Sequence, residues 1–234
     1  MHLFSARVAA IHQETPSIKS FWLELGQQDF SFLAGQWIDL YVDLDGSTEV
    51  GGYSITSSPL TQGRIQLAVK QGQQHPVTRY LYERARLGDS VRVSAGQGVF
   101  SFEQGQSSEI ALLGAGVGVT PMISIIRYAV AAAPQTRVTL VYSMTEPAEY
   151  LFRAELEALA AQHANLRLVP TVTQQAAGWM GRTGRMDRAL LESLEFSPAT
   201  LFYLCGPPAM VDEQAALLAD MAIPAERLIY EKWW

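Results

Sequence analysis

The pattern of apolar and polar positions changes once along this chain, at the polar segment Ser101–Ser108. Before it, short runs rich in β-branched and aromatic residues alternate with turn signals such as Asp45-Gly46 and Gln62-Gly63. Such runs are typical of strands joined by tight turns, and their spacing predicts an antiparallel barrel or sandwich. A helical pattern at Val77–Ala85 interrupts them. The predicted strands are Ala6–His12, Ile18–Leu25, Trp37–Asp43, Gly52–Ser57, Arg64–Lys70 and Ser90–Ser94.

After the polar segment, apolar runs alternate with longer stretches of helical periodicity. This alternation predicts a parallel sheet with helices on both faces. The predicted strands are Ile110–Leu113, Arg137–Ser143, Leu166–Thr171, Leu201–Leu204 and Leu228–Tyr230, and the predicted helices are Pro121–Ala132, Ala148–Gln162, Met186–Leu194 and Pro208–Met221. We therefore expect two domains, an antiparallel β-barrel over residues 1–103 and an α/β domain with a parallel sheet over residues 108–234.

Two of the predicted strands end in loops that expose backbone amides. Residues 111–121 read Ala-Leu-Leu-Gly-Ala-Gly-Val-Gly-Val-Thr-Pro, and a second apolar run ends in Cys205-Gly206-Pro207-Pro208. Gly114, Gly116 and Gly118 permit a sharp turn and a close approach of backbone to phosphate, and the macrodipole of the following helix attracts the anion. Two such strand ends in one open sheet predict a crevice for a nicotinamide dinucleotide.

Each loop also has a purely structural interpretation. Val119 stands where the standard G-x-G-x-x-G fingerprint has its last glycine, so the first loop can be a tight turn without a ligand. A cysteine at a strand end is usually a small buried hydrophobe. No base for a thiolate is evident in the sequence. We therefore expect Cys205 to project into the crevice and position the nicotinamide ring rather than act as a nucleophile.

Composition and charge narrow the function classes. The 234-residue chain has a hydrophobic content of 48% and a net charge of −6, which is typical of a globular protein and argues against a nucleic-acid surface. Its most apolar stretch, residues 110–126, is broken by Gly and Pro and predicts no membrane span. No signal-peptide pattern is visible, so we expect a cytoplasmic location. The single cysteine excludes an intrachain disulfide and a cysteine-ligated iron–sulfur cluster, and the four histidines show no metal-ligand spacing.

An aromatic and a hydroxyl side chain stand together in the β region, at Tyr53-Ser54. Tyr53 can stack on a flat heterocycle and Ser54 can hydrogen-bond to a ring nitrogen, although the segment alone equally suits an ordinary Ser/Thr-rich strand. With the two strand-end loops, the chain resembles the ferredoxin–NADP reductase-like superfamily, and within it the small stand-alone oxidoreductase NAD-binding-domain-containing proteins. The matching motifs are Phe32-x-x-Gly35-Gln36, Tyr53-Ser54, Gly88-Asp89-x-Val91-x-Val93, Gly96-x-Gly98-x-Phe100, Gly114-x-Gly116-x-Gly118-x-Thr120-Pro121, Cys205-Gly206-x-Pro208 and the terminal Tyr230-Glu231-Lys232-Trp233-Trp234.

The resemblance implies an FAD-binding barrel, a nicotinamide-nucleotide domain and roles for the matched residues. It implies that Tyr53 packs on the isoalloxazine, that Ser54 lies near flavin N5 and that Thr78 helps to bind the flavin pyrophosphate. The residues implied at the flavin further include Thr56, Glu231, Trp233 and Trp234, and those at the nicotinamide nucleotide are Gly114, Gly116, Gly118, Thr120, Pro121, Cys205, Gly206 and Pro207. Ser54, Cys205 and Glu231 are the expected catalytic residues. The two tryptophans can alternatively pack as an apolar chain end.

One position departs from the family pattern. The family's arginine, two residues before the tyrosine, pairs with the flavin diphosphate, and this chain has Gly51 there. Loss of such a charge-assisted contact removes roughly 1.5–3 kcal/mol, or about one to two decades of affinity. Arg79, Lys70 or backbone amides are the substitutes that the sequence offers.

The resemblance also bears on the choice between NADH and NADPH. No basic residue follows the second α/β strand, where Glu146 would repel a 2′-phosphate. Thr173 stands where family members that prefer NADPH often have an arginine. Arg182 and Arg185 are possible exceptions, and surface ion pairs are their simpler interpretation. We therefore expect a preference for NADH.

The expected function is a flavin-dependent NAD(P)H oxidoreductase that passes a hydride from nicotinamide to FAD and electrons to a separate acceptor. We expect this acceptor to be a protein or a small molecule, because the sequence has too few cysteines for an iron–sulfur cluster of its own. Two alternatives stay open at this point. One is an NAD(P)H-dependent flavin reductase that uses free flavin, and the other is a non-catalytic nucleotide-binding module that has lost flavin together with the arginine.

Overall fold

In the computed structural model, which describes residues 2–174 and 177–232, the first six strands form one antiparallel sheet in the order β4-β3-β6-β1-β2-β5. The edge strands continue into an Ile55–Leu67 bridge, where the Thr56 amide donates to the Gln66 carbonyl over 2.8 Å. This contact closes the sheet, so the predicted β-barrel is confirmed. The strands are β1 (Phe4–Thr15), β2 (Ile18–Glu24), β3 (Trp37–Leu44), β4 (Ser47–Ser54), β5 (Arg64–Lys70) and β6 (Ser90–Val93).

The predicted helix in the barrel domain is present as two joined turns. Helix α1 spans Pro76–Arg79 and continues as a π-helical turn over Tyr80–Arg84. Val77 and Leu81, four residues apart, are its buried side chains and pack into the barrel core.

Strand β4 begins and ends earlier than the predicted strand Gly52–Ser57. The reason is the two-residue turn at Asp45 and Gly46, whose φ values of 50° and 90° are those of a type I′ hairpin. This turn pairs Leu44 with Ser47 and carries the register along to Trp37 and Ser54. The register therefore overrides the weak strand propensity of the first residues of β4.

The remaining six strands form a parallel sheet in the order β10-β9-β8-β7-β11-β12, which confirms the predicted α/β domain. The order reverses between β7 and β11, and a ligand crevice in such sheets lies at the carboxyl ends of the strands on either side of that point. The strands are β7 (Glu109–Ala115), β8 (Arg137–Met144), β9 (Leu166–Val172), β10 (Arg182–Thr183), β11 (Leu201–Gly206) and β12 (Leu228–Lys232). The helices are α2 (Thr120–Ala132), α3 (Arg153–Gln162), α4 (Arg188–Ser193) and α5 (Pro208–Asp220).

Two elements of this domain differ from the prediction. The helix expected over Ala148–Gln162 is divided into a 3₁₀ turn at Pro147–Glu149 and helix α3, with Phe152 between them at a left-handed φ of 52°. Strand β10 has two residues, which is too short for any periodic pattern to reveal.

Besides the separate core inside the barrel, one hydrophobic cluster spans the junction between the two sheets. Phe100 and Phe102 of the barrel's closing segment are fully buried in the same cluster as the inner faces of β7, β8 and α2. Phe100 packs edge-on against Tyr203 of β11, and the Tyr203 hydroxyl donates to the Ser101 carbonyl over 2.9 Å. Among the described residues, no helix is long and apolar enough to cross a bilayer.

Candidate functional site

The glycine loop joins strand β7 directly to helix α2. Residues Gly116–Val119 form a single 3₁₀ turn, and α2 begins at the next residue. Gly116 has a φ of 53° and open space where a side chain would begin, so its backbone is accessible. Gly118 is different, because a Cβ there would lie 2.5 Å from the Cα of Gly206. Gly118 therefore lets the two strand-end motifs touch backbone to backbone, a packing role that the sequence does not reveal.

Thr120 and Pro121 form the first turn of α2 and are both buried. The Thr120 hydroxyl donates to the Val117 carbonyl over 2.9 Å and so closes the glycine loop. The hydroxyl proton of Thr120 is used in this bond, and its oxygen can still accept a hydrogen bond from another group.

Three of the predicted residues form a row across adjacent strands. In the register of the parallel sheet, Cys205 of β11 lies between Gly114 of β7 and Glu231 of β12. Contrary to the expectation of a side chain projecting into an open crevice, Cys205 is fully buried in the core shared by the two sheets. Gly206 ends β11, and the exposed Pro207 immediately precedes α5.

Tyr53 and Thr78 meet on the barrel side. The Tyr53 hydroxyl and the Thr78 hydroxyl lie 2.9 Å apart and share a hydrogen bond. Burial raises the pKa of Tyr53 to about 12, against the opposing effect of that hydrogen bond. Tyr53 is therefore neutral at physiological pH.

Ser54 ends strand β4, and its side chain is buried. Within residues 2–174 and 177–232 its hydroxyl makes no hydrogen bond. Because this oxygen is not fully enclosed by the protein, the hydroxyl can bond to a ligand such as a flavin ring atom.

Thr56 does not belong to this group. Its side chain is fully buried, and its hydroxyl hydrogen-bonds to Gln66, through the backbone carbonyl at 3.1 Å and the side-chain Oε1 at 3.0 Å. We therefore correct its assignment: Thr56 holds the barrel closed rather than facing a cofactor.

Arg127 is a structural centre that the sequence reasoning missed. Its guanidinium donates to both carboxylate oxygens of Glu155, at 2.7 and 2.6 Å, and across the domain junction to the Thr56 carbonyl at 2.8 Å and Gln66 Oε1 at 2.6 Å. One turn earlier on α2, the Ser124 hydroxyl donates to the Ser57 carbonyl over 2.7 Å. Helix α2 thus binds the end of the Tyr53-Ser54 segment while carrying the glycine loop at its start. The sequence feature that could have revealed Arg127 is its position as a single charge within an apolar helical run.

Glu231 reaches the barrel from the C-terminal strand. A Cβ on Gly98 would lie 3.0 Å from Glu231 Oε1 and 2.6 Å from the indole nitrogen of Trp37. The Glu231 carboxylate, which belongs to the α/β domain, therefore lies beside Gly98 in the segment that follows β6 of the barrel. Trp233 and Trp234, the other predicted residues at this end, lie outside the described residues.

A groove of about 770 Å³ lies on the Arg127 side of the domain junction. Its lining includes Trp22, Ser57, Arg127 and Tyr150, and burial raises the pKa of Tyr150 to about 12. None of the predicted site residues that the structure describes lines this groove. The groove therefore does not coincide with the candidate cofactor site.

Comparison with known proteins agrees with this two-part geometry. Residues 5–102 match the model of the oxidoreductase FAD-binding domain, and residues 112–215 match that of the oxidoreductase NAD-binding domain. Oxidoreductase NAD-binding domain-containing protein 1 from Danio rerio is 33% identical over 100% of this chain and 93% of its own length. The human protein of that name is also 33% identical, over 98% of this chain and 80% of its length.

Among solved structures, the flavohem-like FAD/NAD-binding domain of nitric oxide dioxygenase from Vibrio cholerae is similar to this chain throughout. The structural alignment covers 98% of both chains, with a TM-score of 0.86 and 26% sequence identity. The two sheets and their order are thus those of a known flavin- and nucleotide-binding architecture.

Proposed function

Because this chain belongs to the oxidoreductase NAD-binding domain-containing protein 1 family, we propose that it is a flavin-dependent NAD(P)H oxidoreductase that reduces a separate electron acceptor. The observation that supports this most is the junction itself. The glycine loop, Cys205 and Glu231 come from adjacent strands of one sheet, and helix α2 links that sheet to the Tyr53-Ser54 segment of the barrel.

Residues 1–103 would hold FAD. Tyr53 offers a neutral aromatic face, Ser54 a hydroxyl to which no other described residue hydrogen-bonds, and Thr78 a second hydroxyl. The chemistry that a bound FAD supplies is acceptance of a hydride from the reduced nicotinamide and transfer of its electrons to the acceptor. Ser54 would orient the ring that receives the hydride, and Glu231 would approach the same site from β12.

Residues 108–234 would hold the nicotinamide nucleotide. The accessible backbone at Gly116 and the start of α2 suit a phosphate group, since the thirteen-residue helix presents its amino end there. Thr120 would accept a hydrogen bond, and Cys205, buried at the end of β11, would act as a positioning residue for the nicotinamide end of the site. Hydride-transfer rates equal to wild type in Cys205→Ala would remove Cys205 from this proposal.

We further propose that NADH is preferred over NADPH. Arg182 pairs with Asp187 at 2.8 Å, and Arg185 pairs with Glu213 at 3.0 Å. Both guanidinium groups are thus already partnered by carboxylates, while Thr145 and Glu146 after β8 are exposed. This arrangement offers a 2′-phosphate a negative rather than a positive neighbour. A cytoplasmic location stays a prediction.

Gly51 favours a second candidate function, an NAD(P)H-dependent flavin reductase that takes free flavin as substrate. Without the arginine that the resemblance leads us to expect, FAD can exchange more readily. The two candidates differ in steady-state behaviour, because only the reductase needs free flavin in the assay.

The experiment is an NADH-oxidation assay with a small one-electron acceptor, using purified protein first saturated with FAD and then separated from excess. We expect turnover without added flavin and no increase when flavin is added. Turnover that rises in proportion to free flavin would establish the flavin reductase instead. Protein that takes up no FAD and oxidises no NADH under either condition would refute both and leave the non-catalytic nucleotide-binding module.

A further inference from the structure

The space at Gly51 is already filled by two other side chains. A Cβ at this position would lie 2.8 Å from both Cε2 and the hydroxyl oxygen of Tyr53, and 3.0 Å from Cε1 of His75. A side chain at position 51 therefore requires Tyr53 and His75 to move from the positions they have here. The nearest atoms to this position belong to Tyr53 and His75, and the sequence had suggested Lys70 and Arg79 as cationic substitutes.

One hydrogen bond holds Tyr53 in this position. Its hydroxyl shares the 2.9 Å hydrogen bond with Thr78, and Thr78 is two residues into helix α1. Because burial raises the pKa of Tyr53 to about 12, the hydroxyl brings no negative charge to this corner of the barrel. The corner is thus compatible with an anion.

His75 is the side chain that remains available. It is exposed and directly precedes Pro76, and its backbone carbonyl accepts from the Arg79 amide over 3.0 Å. Its imidazole makes no hydrogen bond within the described residues. An imidazole N–H can donate to a phosphate oxygen, and a protonated ring adds a positive charge.

We propose that His75 takes the place of the missing arginine and donates to the diphosphate of FAD, with the Thr78 hydroxyl beside it. This inference rests on the proposed function, because it assigns a further residue to the same flavin site. It also explains how this chain can have a glycine at position 51 although Tyr53, Ser54 and Thr78 match the flavin motifs of the family.

The test compares the binding of FAD and riboflavin to the full chain, since riboflavin carries the same ring without the diphosphate. Flavin fluorescence quenching gives both dissociation constants for wild type, His75→Ala and His75→Arg. We expect His75→Ala to weaken FAD about tenfold or more and to leave riboflavin unchanged, while His75→Arg restores the FAD affinity. His12→Ala, which removes an exposed histidine of β1, is the matched control and should match wild type.

Equal weakening of FAD and riboflavin, or FAD affinity unchanged in His75→Ala, would overturn the inference while leaving the proposed function in place. If riboflavin binds too weakly to measure, the arginine rescue decides, because a purely structural histidine would not be replaced by arginine. Wild-type protein that binds no FAD would instead refute the proposed function. The melting temperature of His75→Ala should equal that of wild type, because the side chain is exposed.

Discussion

The two halves of the site each depend on a glycine, but for different reasons. The nucleotide half consists of residues 114–120 and 205–207. The barrel half consists of Gly51, Tyr53, Ser54, Thr78 and His75. Gly118 lies under the backbone of Gly206, which cannot move without shifting β11. Gly51 lies under the side chains of Tyr53 and His75, which can change rotamer. The rigid backbone contact in the nucleotide half suits the phosphate group of a nucleotide, which many enzymes bind. The movable side chains in the barrel half allow one residue that binds the flavin diphosphate to replace another.

The largest effect is expected from Gly118→Ala. The added methyl group would meet Gly206 Cα at 2.5 Å, and overpacking against backbone should lower the free energy of unfolding by about 3 kcal/mol. Gly116→Ala is the control, because open space surrounds that position and only its left-handed backbone is strained, at about 1–2 kcal/mol. Chemical denaturation measures both, and equal effects would contradict the contrast between them.

Arg127→Met tests the link between the two halves. It keeps the side-chain length but leaves the Thr56 carbonyl and Gln66 Oε1 without their donor. We expect the free energy of unfolding to fall by about 2 kcal/mol and the rate of flavin reduction by NADH to fall with it. Arg188→Met, which removes an exposed i,i+4 pair with Glu192, should cost less than about 0.5 kcal/mol. An unaltered reduction rate in Arg127→Met would show that the link is dispensable for function.

Glu109→Gln tests the nucleotide sheet without touching the loop at its other end. Burial alone would raise the pKa of Glu109, but hydrogen bonds from Thr200 and Ser197, with Arg137 nearby, outweigh it and lower the pKa. A lowered folded-state pKa stabilises the protein above the ordinary glutamate pKa of about 4.3, and that contribution disappears as pH falls through the folded-state value. We expect Glu109→Gln to cost about 1.5 kcal/mol at pH 7.

The same comparison at low pH supplies the check on Glu109. In urea unfolding, the gap between wild type and Glu109→Gln should narrow as the pH falls below the ordinary glutamate pKa, because the stabilisation by the wild-type carboxylate is lost as it takes up a proton. A gap that is independent of pH would show that the charge of Glu109 contributes nothing. Flavin binding near pH 7 should be the same in both proteins, since Glu109 is at the amino end of β7.

The smallest stability effect is expected from Gly51→Ala. The methyl group would displace the Tyr53 ring and break the Tyr53–Thr78 hydrogen bond, at a cost of about 1 kcal/mol in unfolding. FAD affinity should fall by about tenfold, equal to 1.4 kcal/mol. Tyr53→Phe, which removes the hydroxyl alone, should lose stability but keep more of the affinity. A fully stable Gly51→Ala protein with unchanged FAD affinity would show that the barrel half is not built around Tyr53.

The sequence was a good guide where a pattern repeats along the chain. Alternation predicted both sheets, and the strand-end loops at Gly114–Gly118 and Cys205–Gly206 follow two strands that are neighbours in the parallel sheet. Contacts between distant segments escaped it: the four bonds of Arg127, the burial of Cys205 and the closeness of His75 to Gly51 are set by tertiary packing. Thr56 was implied at the flavin by the resemblance, and its hydrogen bonds to Gln66 of β5 place it in the barrel closure.

The central claim is that both halves act on one electron path, and an anaerobic titration tests it most directly. FAD-loaded protein is titrated with NADH, and separately with NADPH, while the visible absorption of oxidised flavin is followed. We predict complete bleaching at one NADH per flavin and a slower or weaker response to NADPH. Flavin that stays oxidised in the presence of excess NADH and NADPH would contradict the claim.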